Sequence, residues 1–270
     1  MKTLNTLFAS LLVAGIVATS ANANQIVLEG SDATSFHHDS TYTFQLLTFM
    51  QASSGTSLPV LVMGTGGALS GAPVGTVYNP SYSLAGYNLA DYSGLYIQSP
   101  GGCCSQAMEF GGPVTISVAD QALIAAAQVA GMSLTIQDYG GGPQWGAILP
   151  AAVNALGPEH FGGITNYGTA GGPGCTDAEV VNANGLARGF TQPPVLGCYE
   201  HQAYRTSAFA ALGFISLIDA DPAYFGADGS ALLAFGGILG TPVSPVPEPA
   251  SLALLGIGLA GLGVMRKRKS

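Results

Sequence analysis

Residues 117–137 read SVADQALIAAAQVAGMSLTIQ, and the class of fold follows from them. The Ser117 hydroxyl can accept from free amides at a helix start. Asp120 places negative charge in the first turn, where the helix dipole is positive. The apolar run that follows predicts a helix over Val118–Ala130, which Gly131 can close because it tolerates the left-handed conformation. A strand over Met132–Gln137 follows at once. A helix delivered directly into a strand is one half of a β-α-β unit.

Working outward, the same alternation recurs. Gln25–Glu29 is a short β-rich run ending in Gly30, Ser31 and Asp32, and Ser40–Gln51 has helical apolar spacing at Phe44, Leu47 and Phe49. Pro59–Met63 is a continuous apolar strand before Gly64, Thr65, Gly66 and Gly67. Gly71–Tyr92 reads as irregular, and Leu95–Ser99 as a strand before Pro100, Gly101, Gly102, Cys103 and Cys104. Downstream, Pro143 suits the first turn of a helix over Gln144–Leu156, which Pro150 should kink or split. Thr176 with Glu179 forms a capping-box pattern for a short helix. His201–Leu212 reads as helix, with strands at Phe214–Asp219 and Ala231–Phe235. Apolar strands separated by helices predict an α/β fold: an open, largely parallel sheet, flavodoxin-like, with helices on both faces.

The chain segments by composition into residues 1–23, 24–240, 241–249, 250–265 and 266–270. Met1–Ala23 carries Lys2, an apolar run from Leu7 to Ala18, and a small-x-small end at Ala21-Asn22-Ala23, the pattern of a secretory signal peptide. Residues 24–240 are long enough for a single α/β domain with its own core. Once the targeting segments are set aside, this body keeps only Arg188 and Arg205 against fourteen carboxylates, a net charge near −12. Such a surface repels phosphate backbones, so nucleic acid is excluded as a partner class.

The tail has three parts. Residues 241–249 are a Pro-rich linker in which Pro247 and Pro249 bracket Glu248 and hold the backbone extended. Residues 250–265 carry no charge and would make a helix of about 24 Å, short against a hydrocarbon core of about 30 Å. Residues 266–270 begin with Arg266, Lys267, Arg268 and Lys269, which hold their end on the cytoplasmic side, so the chain before them lies outside. With Pro247, Glu248 and Pro249 in the motif positions, this tail resembles the PEP-CTERM sorting signal. The resemblance implies processing by exosortase, a membrane-embedded cysteine transpeptidase of Gram-negative bacteria that make extracellular polysaccharide. It implies a protein tethered to the inner membrane until processed, then delivered to the cell surface or beyond, with matrix polysaccharide as a partner class.

The body carries a second, more diffuse resemblance, to glutamine-amidotransferase-like α/β domains. It rests on Gly30-Ser31-Asp32 with His37, the Tyr-Ser-Gly-Leu-Tyr-Ile run at 92–97, the helix-to-strand unit ending at 131–136, and the stretch from Gly197 through His201. The resemblance implies an alternative function: a hydrolase or degenerate amidotransferase-like enzyme with Cys103 or Cys104 as nucleophile and His201 as base, oriented by Glu200 or Asp138. The chain departs from that pattern in its Cys-Cys doublet and in Glu200 preceding His201 instead of following it by two. The favoured reading of the body is therefore non-catalytic.

In open parallel sheets ligands bind beyond the carboxyl ends of the strands. Four predicted strands end there in polar or glycine-rich turns, which predicts a ligand-binding rim of Asp32, Thr65, Gly66, Gly67, Gly101, Gly102, Asp138 and Tyr139. Export to an oxidising compartment favours disulfides among the four cysteines. Three pairings are open; the favoured one joins Cys175 to Cys198, worth about 3 kcal/mol in the chain-entropy account, and leaves Cys103 and Cys104 as a vicinal pair or cross-linked to the others. No metal or other cofactor is expected. His37 and His38 point apart on an extended chain, Asp219, Asp221 and Asp228 lack the EF-hand spacing, and Gly64-Thr65-Gly66-Gly67 matches no nucleotide-binding pattern. Trp145 and the tyrosines between Tyr78 and Tyr96 have faces on which sugar rings can stack, although such residues more often fill core or loops.

Overall fold

The computed structural model describes residues 25–31, 33–34, 38–64, 67–98, 116–137, 148–149, 151–154, 161–163, 179–191, 202–220 and 226–235. The chain divides into two units, Met1–Gly237 and Ile238–Ser270, and all of these residues belong to the first. The strands are β1 (Ile26–Glu29), β2 (Val60–Met63), β3 (Val77–Asn79), β4 (Gly94–Ile97), β5 (Ser133–Gln137), β6 (Phe161–Gly163), β7 (Val180–Val181), β8 (Gln202–Arg205), β9 (Phe214–Asp219) and β10 (Gly229–Phe235). The helices are α1 (Ser40–Ser54), α2 (Val118–Val129), α3 (Ala151–Asn154), α4 (Ala183–Leu186) and α5 (Thr206–Ala210).

One sheet runs in the order β3-β2-β4-β5-β1-β10-β8-β6, with β9 on β10 and β7 on β9. The five strands from β3 to β1 are mutually parallel. From β1 onward every pairing is antiparallel. The change has a simple cause at β9 and β10, which are joined by residues 220–228, too few for the helical crossover that a parallel partner needs. Leu232, Leu233 and Ala234 pair with both β1 and β9, while Ser230 pairs with both β8 and β9. Thus β1 and β8 follow one another along the edge of β10 opposite β9.

The path from β1 to β2 and the path from β4 to β5 cross the sheet in opposite directions, so right-handed crossovers put their helices on opposite faces. The packing agrees. On one face Tyr42, Leu46, Leu47 and Met50 of α1 cover Val27, Val60, Val62 and Tyr96. On the other Ile124 of α2 packs with Ile26, Leu28, Leu61, Leu95, Leu134 and Ile136. Farther along, Tyr204, Phe209, Phe214 and Phe235 form a ladder of edge-to-face contacts about 5.5 Å apart. Asp39 caps α1 by accepting from the Thr41 and Tyr42 amides, Gly55 ends it in the left-handed conformation, and Ser117 caps α2 as its sequence implies.

Three local expectations are corrected. The helix expected over His201–Leu212 is instead β8 followed by α5, because Ala203 and Tyr204 feed opposite faces of the sheet while Tyr204 and Arg205 pair with β10. Sheet pairing overrides the local helical pattern here. Glu179 leads into β7, not a helix; the short helix begins at Ala183, where the Asn182 side chain accepts from the Asn184 and Gly185 amides. The stretch read as irregular, Gly71–Tyr92, holds β3 and a 3-10 turn at Leu89–Asp91. Of the helix expected over Gln144–Leu156, α3 is described and begins directly after Pro150, with Ile148 and Leu149 in a turn before it.

Candidate functional site

The carboxyl ends of β1, β2, β4 and β5 lie on one edge of the sheet. Met63 is in register with Ile97, Ile97 with Ile136, and Glu29 with Gln137. After β1 the chain goes to α1 on one face; after β5 it goes to Ile148, Leu149 and Val153 on the other. The β1/β5 junction is therefore the point where the connections part, the place at which open α/β sheets form a crevice.

A fully buried polar chain fills the floor of that junction. Gln137 Nε2 donates to the Ser31 carbonyl and to Thr34 Oγ1, each at 3.0 Å. The Thr34 hydroxyl hydrogen-bonds the Tyr96 hydroxyl, which donates to Glu29 Oε2 at 2.6 Å. Tyr42 reaches the same carboxyl group, and its pKa is held well above the usual tyrosine value by burial first and by the neighbouring Glu29 second. The donors therefore run in one direction and end on a carboxyl group, which stitches the turn after β1 to the sheet beneath it.

A second anchor lies beyond β2 and β4. The buried Gln98 donates from Nε2 to the Gly67 carbonyl at 3.1 Å, and its own carbonyl accepts from the Tyr82 hydroxyl at 3.0 Å. Gly64 is required beside it: with φ at +145°, a Cβ there would stand 2.7 Å from Gln98 Cβ.

Of the rim expected from sequence, Gly67 is described, and its carbonyl is held by Gln98. Asp32, Thr65, Gly66, Gly101, Gly102, Asp138 and Tyr139 lie outside the described residues, as do Cys103, Cys104, Cys175, Cys198, Glu200, His201, His37, Trp145, Asp221, Pro247, Glu248 and Pro249. The described aspartates of the acidic stretch are engaged: Asp219 accepts from Asn182 and Ser216, and Asp228 from the Ser207 amide and hydroxyl. Sequence reasoning missed the buried anchors Glu29, Gln98 and Gln137. Their signal is visible in retrospect, since each is a Glu or Gln directly after the apolar run of a strand that points at the rim.

An open cavity of about 460 Å³ lies at the other edge of the sheet, among residues leading into β2, β4 and β5. Leu58, Tyr92, Ser93, Met132 and the flank of α2 line it. It does not lie at the carboxyl ends of the strands.

Residues 245–269 match the family model of the PEP-CTERM protein-sorting motif. No curated protein and no solved structure matches the chain. The motif marks an exported protein that is sorted to the cell surface with exosortase as its processing partner. The amidotransferase-like resemblance of the body rests on its sequence features alone. None of the described helices is long and apolar enough to cross a membrane, and residues 1–23 and 250–265 lie outside the described residues.

Proposed function

We propose that this is a non-catalytic exported protein of the cell envelope or extracellular matrix, held at the inner membrane by residues 250–265 until exosortase-type processing releases it. Its α/β body binds a ligand or matrix component, matrix polysaccharide being the leading class, at the rim beyond β1, β2, β4 and β5. The match at residues 245–269 carries the destination. The common edge of four parallel strand ends, with side chains beneath it spent on anchoring turns, supports a binding rim over a reacting centre.

Two experiments test it. Replacing Glu248 with alanine should leave the protein in the inner-membrane fraction, whereas unchanged delivery to the surface would remove the sorting reading. Asp32→Ala and Asp138→Ala should each weaken retention of the body on isolated matrix polysaccharide, and equal retention of both variants would remove the rim. A reactive thiol on the exported protein, lost in Cys103→Ser or Cys104→Ser, would instead favour the hydrolase.

A further inference from the structure

The cavity at the amino edge of the sheet is formed where three strands begin. Val60 of β2 is in register with Gly94 of β4, and Gly94 with Ser133 of β5. This alignment brings together the residues that lead into each strand: Leu58, then Tyr92 with Ser93, then Gly131 with Met132. They enclose about 460 Å³, a size within the range of small-molecule pockets, roughly 300–1,000 Å³. Leu89, Ser93 and Met132 are buried and lie deepest, whereas Leu58 and Leu123 are exposed at the mouth.

The lining narrows the ligand by charge. No charged side chain lines the cavity. Helices α1 and α2 both end at this edge, at Ser54 and Val129, and bring the negative ends of their dipoles to it. An anion is therefore repelled, and a cation that lost its water would find no carboxylate in the lining to pair with. A hydrocarbon ligand fits no better, because it would strip water from Thr56, Asn88, Tyr92 and Ser93 and return no hydrogen bonds. These groups have bonding capacity to spare. The Tyr92 hydroxyl makes no hydrogen bond among the described residues. Asn88 Nδ2 commits one of its hydrogens to Asp91 Oδ1, and Ser93 Oγ, which donates to the Pro59 carbonyl, can still accept. Burial first, then Tyr87 and Asp91, raise the Tyr92 pKa, so its hydroxyl stays a donor at neutral pH.

We propose that this cavity is a binding site for a neutral sugar ring, with Tyr92, Leu58 and Leu123 taking its apolar side and Thr56, Asn88 and Ser93 its hydroxyls. A pyranose matches such a lining, since it carries carbon-bound hydrogens on its faces and hydroxyl groups around its edge. An aromatic side chain with a polar tip suits both. The inference deepens the proposed function, on which it rests for the source of the sugar, a neutral stretch of matrix polysaccharide. It adds a site at the opposite edge of the sheet from the rim, so one body could hold two stretches of glycan at once and gain avidity from both.

Titration calorimetry of the full-length chain, kept in a polyoxyethylene detergent that carries no sugar, tests the proposal. The probes are cellotetraose, maltotetraose and mannotetraose, with tetragalacturonate as the anionic control. Binding of a neutral oligosaccharide is expected, with tetragalacturonate weaker by about tenfold or more. Tyr92→Ala should weaken binding about tenfold, and Tyr92→Phe less because the ring remains. Ala90→Leu combined with Ala130→Leu should weaken it similarly by filling the cavity, and circular dichroism should show the fold retained because both positions are exposed. Asp32→Ala and Asp138→Ala, on the rim, should leave this binding unchanged. The site is overturned if none of the neutral probes binds, if tetragalacturonate binds equally well, or if binding survives intact in Tyr92→Ala and in the filled cavity. Retention on isolated matrix polysaccharide without binding of any neutral probe would remove this site and leave the proposed function standing. Binding in the cavity without such retention would do the reverse.

Discussion

Tyr42 shows how a single buried group ties the fold to pH. Burial and the adjacent Glu29 keep its hydroxyl protonated in the folded chain to a higher pH than in the unfolded one. Its contribution to stability is therefore complete below the unfolded tyrosine value of about 10 and is lost as pH climbs through the raised folded value. Urea denaturation between pH 8 and pH 11 should show stability falling on the alkaline side, with a shallower fall in Tyr42→Phe. Tyr96 is the more costly residue to lose, since its hydroxyl both donates to Glu29 and partners Thr34. Tyr96→Phe should destabilise by about 1–3 kcal/mol, read as a lower urea midpoint at neutral pH. Gln128 works in the other direction: it is buried, and its Nε2 finds no acceptor among the described residues. Gln128→Met removes that unsatisfied amide from the core side of α2 and should stabilise by about 1 kcal/mol, seen as a higher melting temperature.

Among the elements, the short helix α4 is held by contact at a residue without a side chain. A Cβ on Gly185 would stand 2.2 Å from the Leu217 carbonyl oxygen of β9, and backbone cannot step aside as a side-chain tip can. Gly185→Ala should cost about 1–3 kcal/mol through displacement of α4 from β9, with faster amide exchange at Val181 and Asn182 as the local sign. The elements also show what a one-dimensional pattern conveys. β1, β2, β4, α2 and β5 were legible because each combines a local signal, an apolar run or a cap, with a tertiary role that agrees with it. β8 was not legible. Residues 201–205 continue the helical pattern of those that follow, and the choice was made against it by the open edge of β10 and by the need to bury Ala203 and Tyr204 on opposite faces. At the candidate site the turn after β1 could be anticipated from Gly30 and Ser31, but not the anchors below it. Hydrogen bonds such as Gln137 to Thr34 span more than a hundred residues and exist only once β1 and β5 are neighbours.

For the molecule as a whole, charge reports on processing. The natural chain has a net charge of −8, and four of its seven basic residues are Arg266, Lys267, Arg268 and Lys269. Cleavage at the sorting motif removes all four, so the surface form should focus at a lower pH than the full chain, whose isoelectric point is near 4.7. Isoelectric focusing of membrane and surface fractions checks this, and Glu248→Ala should abolish the more acidic band. The sequence by itself determined the destination, because a sorting signal is read as a local string of an extended Pro-Glu-Pro handle, an apolar segment and a basic end, with no long-range contact needed. It also determined the α/β class, since the periods of helix and strand are local. Only the tertiary structure decided that an antiparallel half is added at β1, that Glu29, Gln98 and Gln137 tie the chain beyond β1 and β2 to the sheet, and that α2 turns its apolar side outward. Each of these depends on which distant segments pack together, and burial is a property of that packing and not of the residue alone.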